Sequence, residues 1–427
     1  MSRKPYSWKD GPDEIQQHSI AKHTVLRTYL ARYFSTLVSS PNQDVLRLTL
    51  VDGFAGGGVY IHKDTRETVL GSPFICLDAA REAEALINLD RRKPVKLDVT
   101  YFFIEKDRHA HQHLEKALRE RDYGPRIGTD IHVRHARFQD EADAIIGFIK
   151  QRNPRNGRSI FVLDQYGYKE VPGPLIRKIF ASLPKAEVIL TFGVDSFLNY
   201  ASDSALTKEL LDEVGVPDLL KDRTFEEIKN SERDWRLFIQ SGLYHGLVTR
   251  CGASHYTPFF IRNPHGHGDY WLIHLSQHHR ARDVMTEVHW ENHNHFIHYG
   301  GAGLDMFQMV GYDPSNDDRF KGQHGLGFEF DDVAKQQSIS ALKEQIPRFV
   351  YASDDGLTFG ELFASTCNLS PASASIYKEA VEALVLEKVI DVISDDGKSR
   401  RSAQQIRPTD RVVPPEQRSL LVQIGTK

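Results

Sequence analysis

The sequence predicts an α/β chain: a mainly parallel sheet with helices on both faces, followed by a winged helix-turn-helix. Three observations predict it. Apolar, strand-like runs alternate with amphipathic stretches from residue 45 to residue 192, the pattern of a sheet whose crossovers are helices. The first run empties into a glycine-dense turn, VDGFAGGGV, at residues 51–59. Near the end, two short helical stretches around NLSPAS precede a basic hairpin, SDDGKSRR, the order of a winged helix. At 427 residues the chain exceeds one ordinary core and divides into two or three domains.

In chain order, Asp13 to Val38 reads as one helix. Leu26, Tyr29, Leu30, Tyr33, Phe34 and Leu37 recur at steps of three and four, and Pro12 suits a first turn. Strands are predicted at Val45 to Val51, Leu97 to Glu105, Ile131 to Arg137, Ser159 to Leu163 and Glu187 to Phe192. Between them lie helices at Ser72 to Leu89, Arg108 to Glu120, Asp140 to Gln151 and Pro174 to Leu183. Residues 196–247 break the alternation and read as a helical insertion. An antiparallel hairpin, Tyr256 to Ile261 with Tyr270 to Leu275, and a helix from Arg280 to Glu291 complete a first domain, 1–298. Residues 299–335 are rich in Gly and Asp and read as a linker. Residues 336–413 form the winged helix, with helices at Leu357 to Cys367 and Ala374 to Lys388 and short strands within Ile390 to Ile406; 414–427 is a tail.

Composition excludes several classes. The net charge of −4 is no polycation's, so any nucleic-acid contact comes from local patches. Cys76, Cys251 and Cys367 are odd in number and far apart, with no CxxC, which argues against a disulfide scaffold or a cluster and for a reducing compartment. No apolar run is long enough to span a bilayer and the N-terminus lacks an apolar h-region, so a cytoplasmic protein without a membrane partner is expected. His289, His293, His295 and His298 invite a metal, but no cysteine is near and Glu291 falls on another face; a polar helix end is expected and no metal site.

Four glycines in six residues, Gly53 and Gly56 to Gly58, suggest a ligand against bare backbone; close strand–helix packing is the other reading. The spacing is not GxGxxG, and Asp52 ends the strand. An acid there repels a pyrophosphate and suits a cationic amino-acid moiety such as the ammonium of S-adenosylmethionine. Glu105, ending the second long strand, is placed to hold ribose hydroxyls, or is an exposed charge. Phe138-Gln139-Asp140 is placed to stack on and bond an adenine, or to cap a helix at Asp140. Asp164-Gln165-Tyr166-Gly167-Tyr168 ends the fourth strand, where an acid and aromatics suit a flat acceptor such as a flipped base, or a packed turn. Lys398, Arg400 and Arg401 at the wing tip reach phosphates in one reading. In the other the wing meets protein, since Asp395 and Asp396 weaken its field.

Together, WKDGPDEIQQHSIAKHTVLRTYL, LVDGFAGGGVY with GSPF, FFIEKD and FVLDQYGYKEVP resemble the three-Cys-motif partner family of bacterial proteins. The likeness covers most of the chain, including a C-terminal part similar to the GMT-like winged helix attached to such proteins. That family's core resembles Rossmann-like, class I S-adenosylmethionine-dependent methyltransferases. The resemblance implies that Asp52, Gly53, Phe54, Ala55, Gly56 and Gly58 hold the methionine end of the cofactor. Glu105 holds the ribose and Asp164 stands where amino-methyltransferases keep the first residue of Asp-Pro-Pro-Tyr. Lys22 and His23 resemble a pair that covers the cofactor. The chain departs from the pattern at Gln165, where the family has proline. The family's name implies a three-Cys-motif partner protein.

The resulting expectation is methyl transfer from S-adenosylmethionine to a base amine of DNA or RNA. Asp164 would orient the acceptor, Tyr166 would stack on it, and Phe138 would line the cofactor. The alternative is a non-catalytic adaptor of a three-Cys-motif iron–sulfur protein. A cytosine-C5 mechanism needs a Pro-Cys nucleophile, and no cysteine here follows a proline.

Overall fold

The computed structural model describes residues 6–15, 17–155, 157–165, 170–193, 204–214, 224–231, 235–261, 270–293, 296–298, 302–304, 306, 310–311, 327–328, 330–353 and 355–415. They divide into two compact units, 1–298 with 309–329, and 299–308 with 330–427.

The first unit is built on seven strands: β1 (Val45–Asp52), β2 (Lys96–Glu105), β3 (Ile131–His135), β4 (Ser159–Leu163), β5 (Ala186–Phe192), β6 (His255–Ile261) and β7 (Tyr270–Ser276). Their spatial order is 3-2-1-4-5-7-6. The pairs β1–β2, β1–β4, β2–β3 and β4–β5 are parallel. Strand β7 runs antiparallel between β5 and β6. This is a Rossmann-like, mostly parallel sheet with an antiparallel hairpin at one edge, as the sequence led one to expect. The β6–β7 hairpin forms as expected, and its strands are one residue longer at one end.

The helices are α1 (Gln17–Leu37), α2 (Ser72–Asn88), α3 (Arg108–Glu120), α4 (Phe138–Arg152), α5 (Gly173–Ser182), α6 (Ala205–Val214), α7 (Phe225–Ser231), α8 (Trp235–Cys251) and α9 (His279–Glu291). Side chains alternate across each strand, so β2 feeds both layers. Tyr101 and Phe103 join the core under α1, α2, α3 and α9. Phe102 points the other way, onto Phe148 of α4, ring centroids 5.1 Å apart. Trp271 of β7, fully buried, meets Tyr244 of α8 on that second face.

Three elements of the first unit differ from the sequence reading, and in the second the helix Asp332–Tyr351 was not expected and a wing strand falls at Arg411–Val413, beyond Ile390 to Ile406. Helix α1 begins at Gln17, not Asp13, because Glu14–Ile15 pair in parallel with Ile61–His62 as a short strand. The Asp13 carboxylate accepts the Ser7 N–H at 2.7 Å and the Glu14 N–H at 2.8 Å, which fixes that turn. Between the glycine turn and α2 lies a β-excursion, Val59–His62 paired with Thr68–Leu70, which accounts for the long gap between Asp52 and Glu105. The segment read as an insertion ends in α8, which carries the chain from β5 back to the start of the parallel-running β6. Arg177 of α5 ties it down, donating to the carbonyls of Thr249 at 2.7 Å and Arg250 at 2.9 Å, two acceptors a helix end otherwise leaves unmet.

The second unit holds the winged helix. Its helices are α10 (Asp332–Tyr351), α11 (Phe359–Thr366) and α12 (Ala374–Leu386). A small antiparallel sheet places Arg411–Val413 between Leu357–Thr358 and Asp391–Ile393. Thr358 and Glu361 form a capping box that starts α11.

One buried polar cluster ties α1 to β5 and β7. The Glu187 carboxylate accepts from the Tyr29 hydroxyl, and the His274 Nε2 lies 3.0 Å from the same oxygen. Burial and the Glu187 charge push the Tyr29 phenol well above its ordinary value, so it stays a donor. Removing that donor strips a buried carboxylate of a partner. Tyr29→Phe is therefore expected to cost about 1–3 kcal/mol, read as a lower denaturation midpoint of the intact chain.

Candidate functional site

The register of the parallel strands collects the candidate acids at one edge. Asp52, the last residue of β1, lies opposite Phe103 of β2 and Val162 of β4. Glu105 and Asp164 each follow those neighbours by two residues, at the same carboxyl edge. In an open parallel sheet that edge faces the ligand crevice.

Asp52 is 1% exposed. One oxygen accepts the Phe54 N–H at 3.1 Å; the other, Oδ2, has no hydrogen-bond partner among the described residues. Burial raises its carboxyl from 3.8 to about 7, which the nearby Ser72 hydroxyl and the Phe54 N–H offset only in part. The charges of Asp164 and Glu105 add to the rise. The excursion after the glycine turn returns through a Gly71 N–H to Gly58 carbonyl bond of 2.8 Å, so α2 starts beside Asp52.

Glu105 spans two loops: its carboxylate accepts the Gly56 N–H at 2.9 Å and the Asp107 N–H at 2.7 Å. Burial raises its carboxyl above the usual range despite both donors. Around it the glycine turn is clamped, Gly53 N–H to Val162 at 2.9 Å and Ala55 N–H to Ile104 at 3.0 Å.

The glycines answer first to the protein itself. A Cβ on Gly57 would lie 2.1 Å from the Trp8 indole nitrogen, and one on Gly53 would lie 2.8 Å from Leu163. Gly56 and Gly58 take φ of +61° and +74°, the left-handed region. Their density is thus explained without a ligand. Phe138 lies beneath the same turn: it opens α4, is 1% exposed, and packs on Phe161 at 6.2 Å. It supports Gly53 from below rather than offering a free ring face. Ala55 is buried and Phe54 half-buried.

Asp164 is not alone. The Lys22 ammonium of α1, 8% exposed, pairs with both carboxylate oxygens. Next to it, His23 is half-buried, with Nδ1 enclosed and unpartnered. Burial and then the Lys22 charge lower its imidazole to about 4, leaving it neutral at physiological pH. Trp8 donates to the Val59 carbonyl at 3.1 Å and stacks edge-on against Tyr60, so residues 6–15 lie along the glycine turn.

Gln165 stands where the family resemblance expects proline. It is 2% exposed, and its Oε1 accepts the N–H groups of Glu170 at 2.9 Å and Val171 at 3.0 Å. Tyr166, Gly167 and Tyr168 lie outside the described residues. Among functional candidates, Trp8 and the bond-making role of Gln165 escaped the sequence reading; the WKDG stretch at residues 8–11 was the available signal for Trp8.

In the second unit, Lys398 pairs with Asp396 at 2.6 Å, and Arg400 turns inward to Asp410, 1% exposed, at 3.3 Å. Arg401 is exposed. No group of His, Cys, Asp and Glu suited to a metal occurs among the described residues, and all three cysteines are free and buried. No described helix is long and apolar enough to cross a membrane.

The profile of the GMT-like wHTH domain matches residues 311–397. No curated protein matches the chain. Among solved structures, Trm1 from Pyrococcus horikoshii with S-adenosyl-L-methionine is 11% identical at TM-score 0.30, over 92% of this chain and 91% of that one. The bifunctional kinase-methyltransferase WbdD is 11% identical at TM-score 0.31, over 60% of this chain; the match spans 39% of WbdD. The O-methyltransferase TomG from Streptomyces achromogenes, with SAM, is 11% identical at TM-score 0.27, over 62% of this chain and 92% of that one. Likenesses of this strength say nothing of substrate or chemistry.

The Gln165 contact generates a local prediction. Gln165→Ala leaves two backbone donors without their acceptor, at a cost of about 1–3 kcal/mol. Hydrogen exchange at the Glu170 and Val171 amides is expected to accelerate, and Gln165→Glu, which keeps an acceptor oxygen, to restore protection.

Proposed function

We propose that the first unit is an S-adenosylmethionine-dependent methyltransferase whose acceptor is a nucleic-acid base amine held at Asp164. The observation that carries the reading is the meeting of Asp52, Glu105 and Asp164 at the carboxyl edge of a 3-2-1-4-5-7-6 sheet. The residues fit the cofactor. The unpartnered, buried Oδ2 of Asp52 lacks a donor, and an ammonium supplies both donor and countercharge. Glu105 keeps lone pairs for ribose hydroxyls after accepting two N–H bonds. When bound, S-adenosylmethionine supplies the methyl group and its own leaving group.

What the chain does is positional. The turn fixed by Gly53, Phe54, Ala55, Gly56 and Gly58 sets the height of the cofactor floor. Lys22 contacts both carboxylate oxygens of Asp164 and fixes the direction of their lone pairs. An acceptor amine donates to Asp164, and a neighbouring carbonyl accepts from Lys22. Tyr166 supplies the stacking face in this proposal. Neutral His23 is an available proton acceptor beside the pair. A three-Cys-motif protein is the proposed partner, with the second unit as its adaptor.

A second reading, a non-catalytic adaptor, draws on the same Lys22–Asp164 pair, since a carboxylate already paired has less need of a substrate. Two variants separate the readings. Asp164→Asn and Lys22→Met are expected to retain cofactor binding while methyl transfer from labelled S-adenosylmethionine to nucleic acid falls about 100-fold or more. Unchanged transfer in both removes the catalytic assignment.

Asp52 gives the proposal a pH signature. Its folded-state pKa is raised, so the folded protein holds more protons than the unfolded one between pH 3.8 and about 7, and stability falls as pH rises through that window. A cationic ligand needs the carboxylate. Calorimetric affinity for S-adenosylmethionine is therefore expected to strengthen as pH rises through about 7. Asp52→Asn is expected to abolish binding while stabilising the ligand-free chain at pH 8 by about 1–3 kcal/mol.

A further inference from the structure

Two of the three wing cations, Lys398 and Arg400, are paired within the fold, and Arg401 is exposed. Between residues 330 and 415 acids outnumber lysines and arginines, and Lys398 and Arg400 face Asp396 and Asp410. At the tips of β2 and β3 exposed cations are left less fully paired. The segments Lys106 to His109 and Arg134 to Arg137 carry four basic side chains, two histidines and the single acid Asp107. That acid is used as the α3 cap, accepting the Ala110 N–H at 2.8 Å.

The two segments form one surface. Glu105 pairs with His135 and Ile104 with Arg134 across the ladder. His111 of α3 lies 5.2 Å from the His135 ring, and His135 is 3.1 Å from the Lys106 carbonyl. Helices α3 and α4 both begin here, at caps Asp107 and Arg137, adding the positive ends of two dipoles. Counterions are partial: Glu170 meets Lys106 at 2.7 Å and Glu141 stands 3.9 Å from Arg134, while Asp140 lies exposed nearby. Arg108 and Arg137 are exposed and make no ion pair among the described residues.

We infer that this rim, centred on Arg108 and Arg137 beside Glu105, is the surface that takes the phosphate backbone of a nucleic-acid substrate, and that the wing tip is not. The inference rests on the proposed nucleic-acid acceptor and adds where the polyanion lies. Unpaired arginines release condensed counterions on binding, whereas Lys398 and Arg400 must first give up a carboxylate. The rim also borders the crevice where a base would have to arrive, so a strand tracked along it stays within reach of Asp164.

The test is fluorescence anisotropy of the full chain with labelled single- and double-stranded DNA and RNA of about 20 nucleotides, across a salt series. Arg108→Glu with Arg137→Glu is expected to weaken binding about tenfold or more and to lower the slope of log affinity against log salt by about two. Lys398→Glu with Arg401→Glu is expected to stay within about twofold of the unmodified chain. The opposite ranking places the backbone on the winged helix and overturns the inference. So does absence of binding at low salt to every oligonucleotide. Calorimetry with S-adenosylmethionine on the same proteins keeps the two proposals apart: its failure removes the cofactor reading alone, and its success in both charge-reversed variants shows that they are folded.

Discussion

The pairing of β1 between β2 and β4 is the constraint on which the site depends. Side chains alternate across a strand, so a slip of one residue would move every side chain of β1 to the opposite face of the sheet. Leu46, Leu48 and Leu50 are 2% exposed or less, and that burial locks the register. With the register locked, Asp52 emerges at the edge between Phe103 and Val162, and the next residues must turn at once. The sheet's hydrophobic pattern thus decides where an ionisable group is buried. A carboxyl held at about 7 is what that placement costs, and its open oxygen is what the placement provides.

Around this fixed point the remaining parts are held by long-range contacts. Lys22 reaches Asp164 across 142 residues of sequence, and Trp8 reaches the Val59 carbonyl across 51. Helix α1 is therefore both a core element and a wall of the site. Its apolar face packs under the sheet through Tyr29, Leu30 and Phe34, while its first turns carry Lys22 and His23. A shift of α1 would disturb Glu187 at one level and Asp164 at another, which couples the stability of the core to the geometry of the acceptor end.

Much of the fold was legible because strand and helix periods differ. The β-α alternation, the β6–β7 hairpin and the winged helix follow from apolar spacing and turn residues. Element ends were less so: Glu14–Ile15 became a strand through pairing with Ile61–His62, which no local pattern announces. The acids were legible as strand-terminal residues, but their partners were not. Glycine density was visible, but not the side chains of Trp8, Leu163 and Leu114 that a Cβ at Gly57, Gly53 and Gly58 would meet. Gln165 looked like a defect because a side chain that accepts from residues five and six positions on leaves no local signature.

The same distinction decides how a basic hairpin should be read. SDDGKSRR has three cations in a row of eight, and as a string it resembles a phosphate-seeking wing. In the folded unit the turn brings Asp396 to Lys398, and the strand pairing delivers Arg400 to a buried acid that comes ten residues later. Asp410 also accepts the Arg407 N–H at 2.8 Å, so Arg400 answers a carboxylate already fixed by the backbone. Its guanidinium is recruited to satisfy a buried charge before any ligand is present, and a buried acid would be left uncompensated without it. Charge that is committed to the fold is not available to a partner. What a cation can bind is set by which carboxylates fold beside it, and that pairing of Lys398 and Arg400 is not written in the local composition.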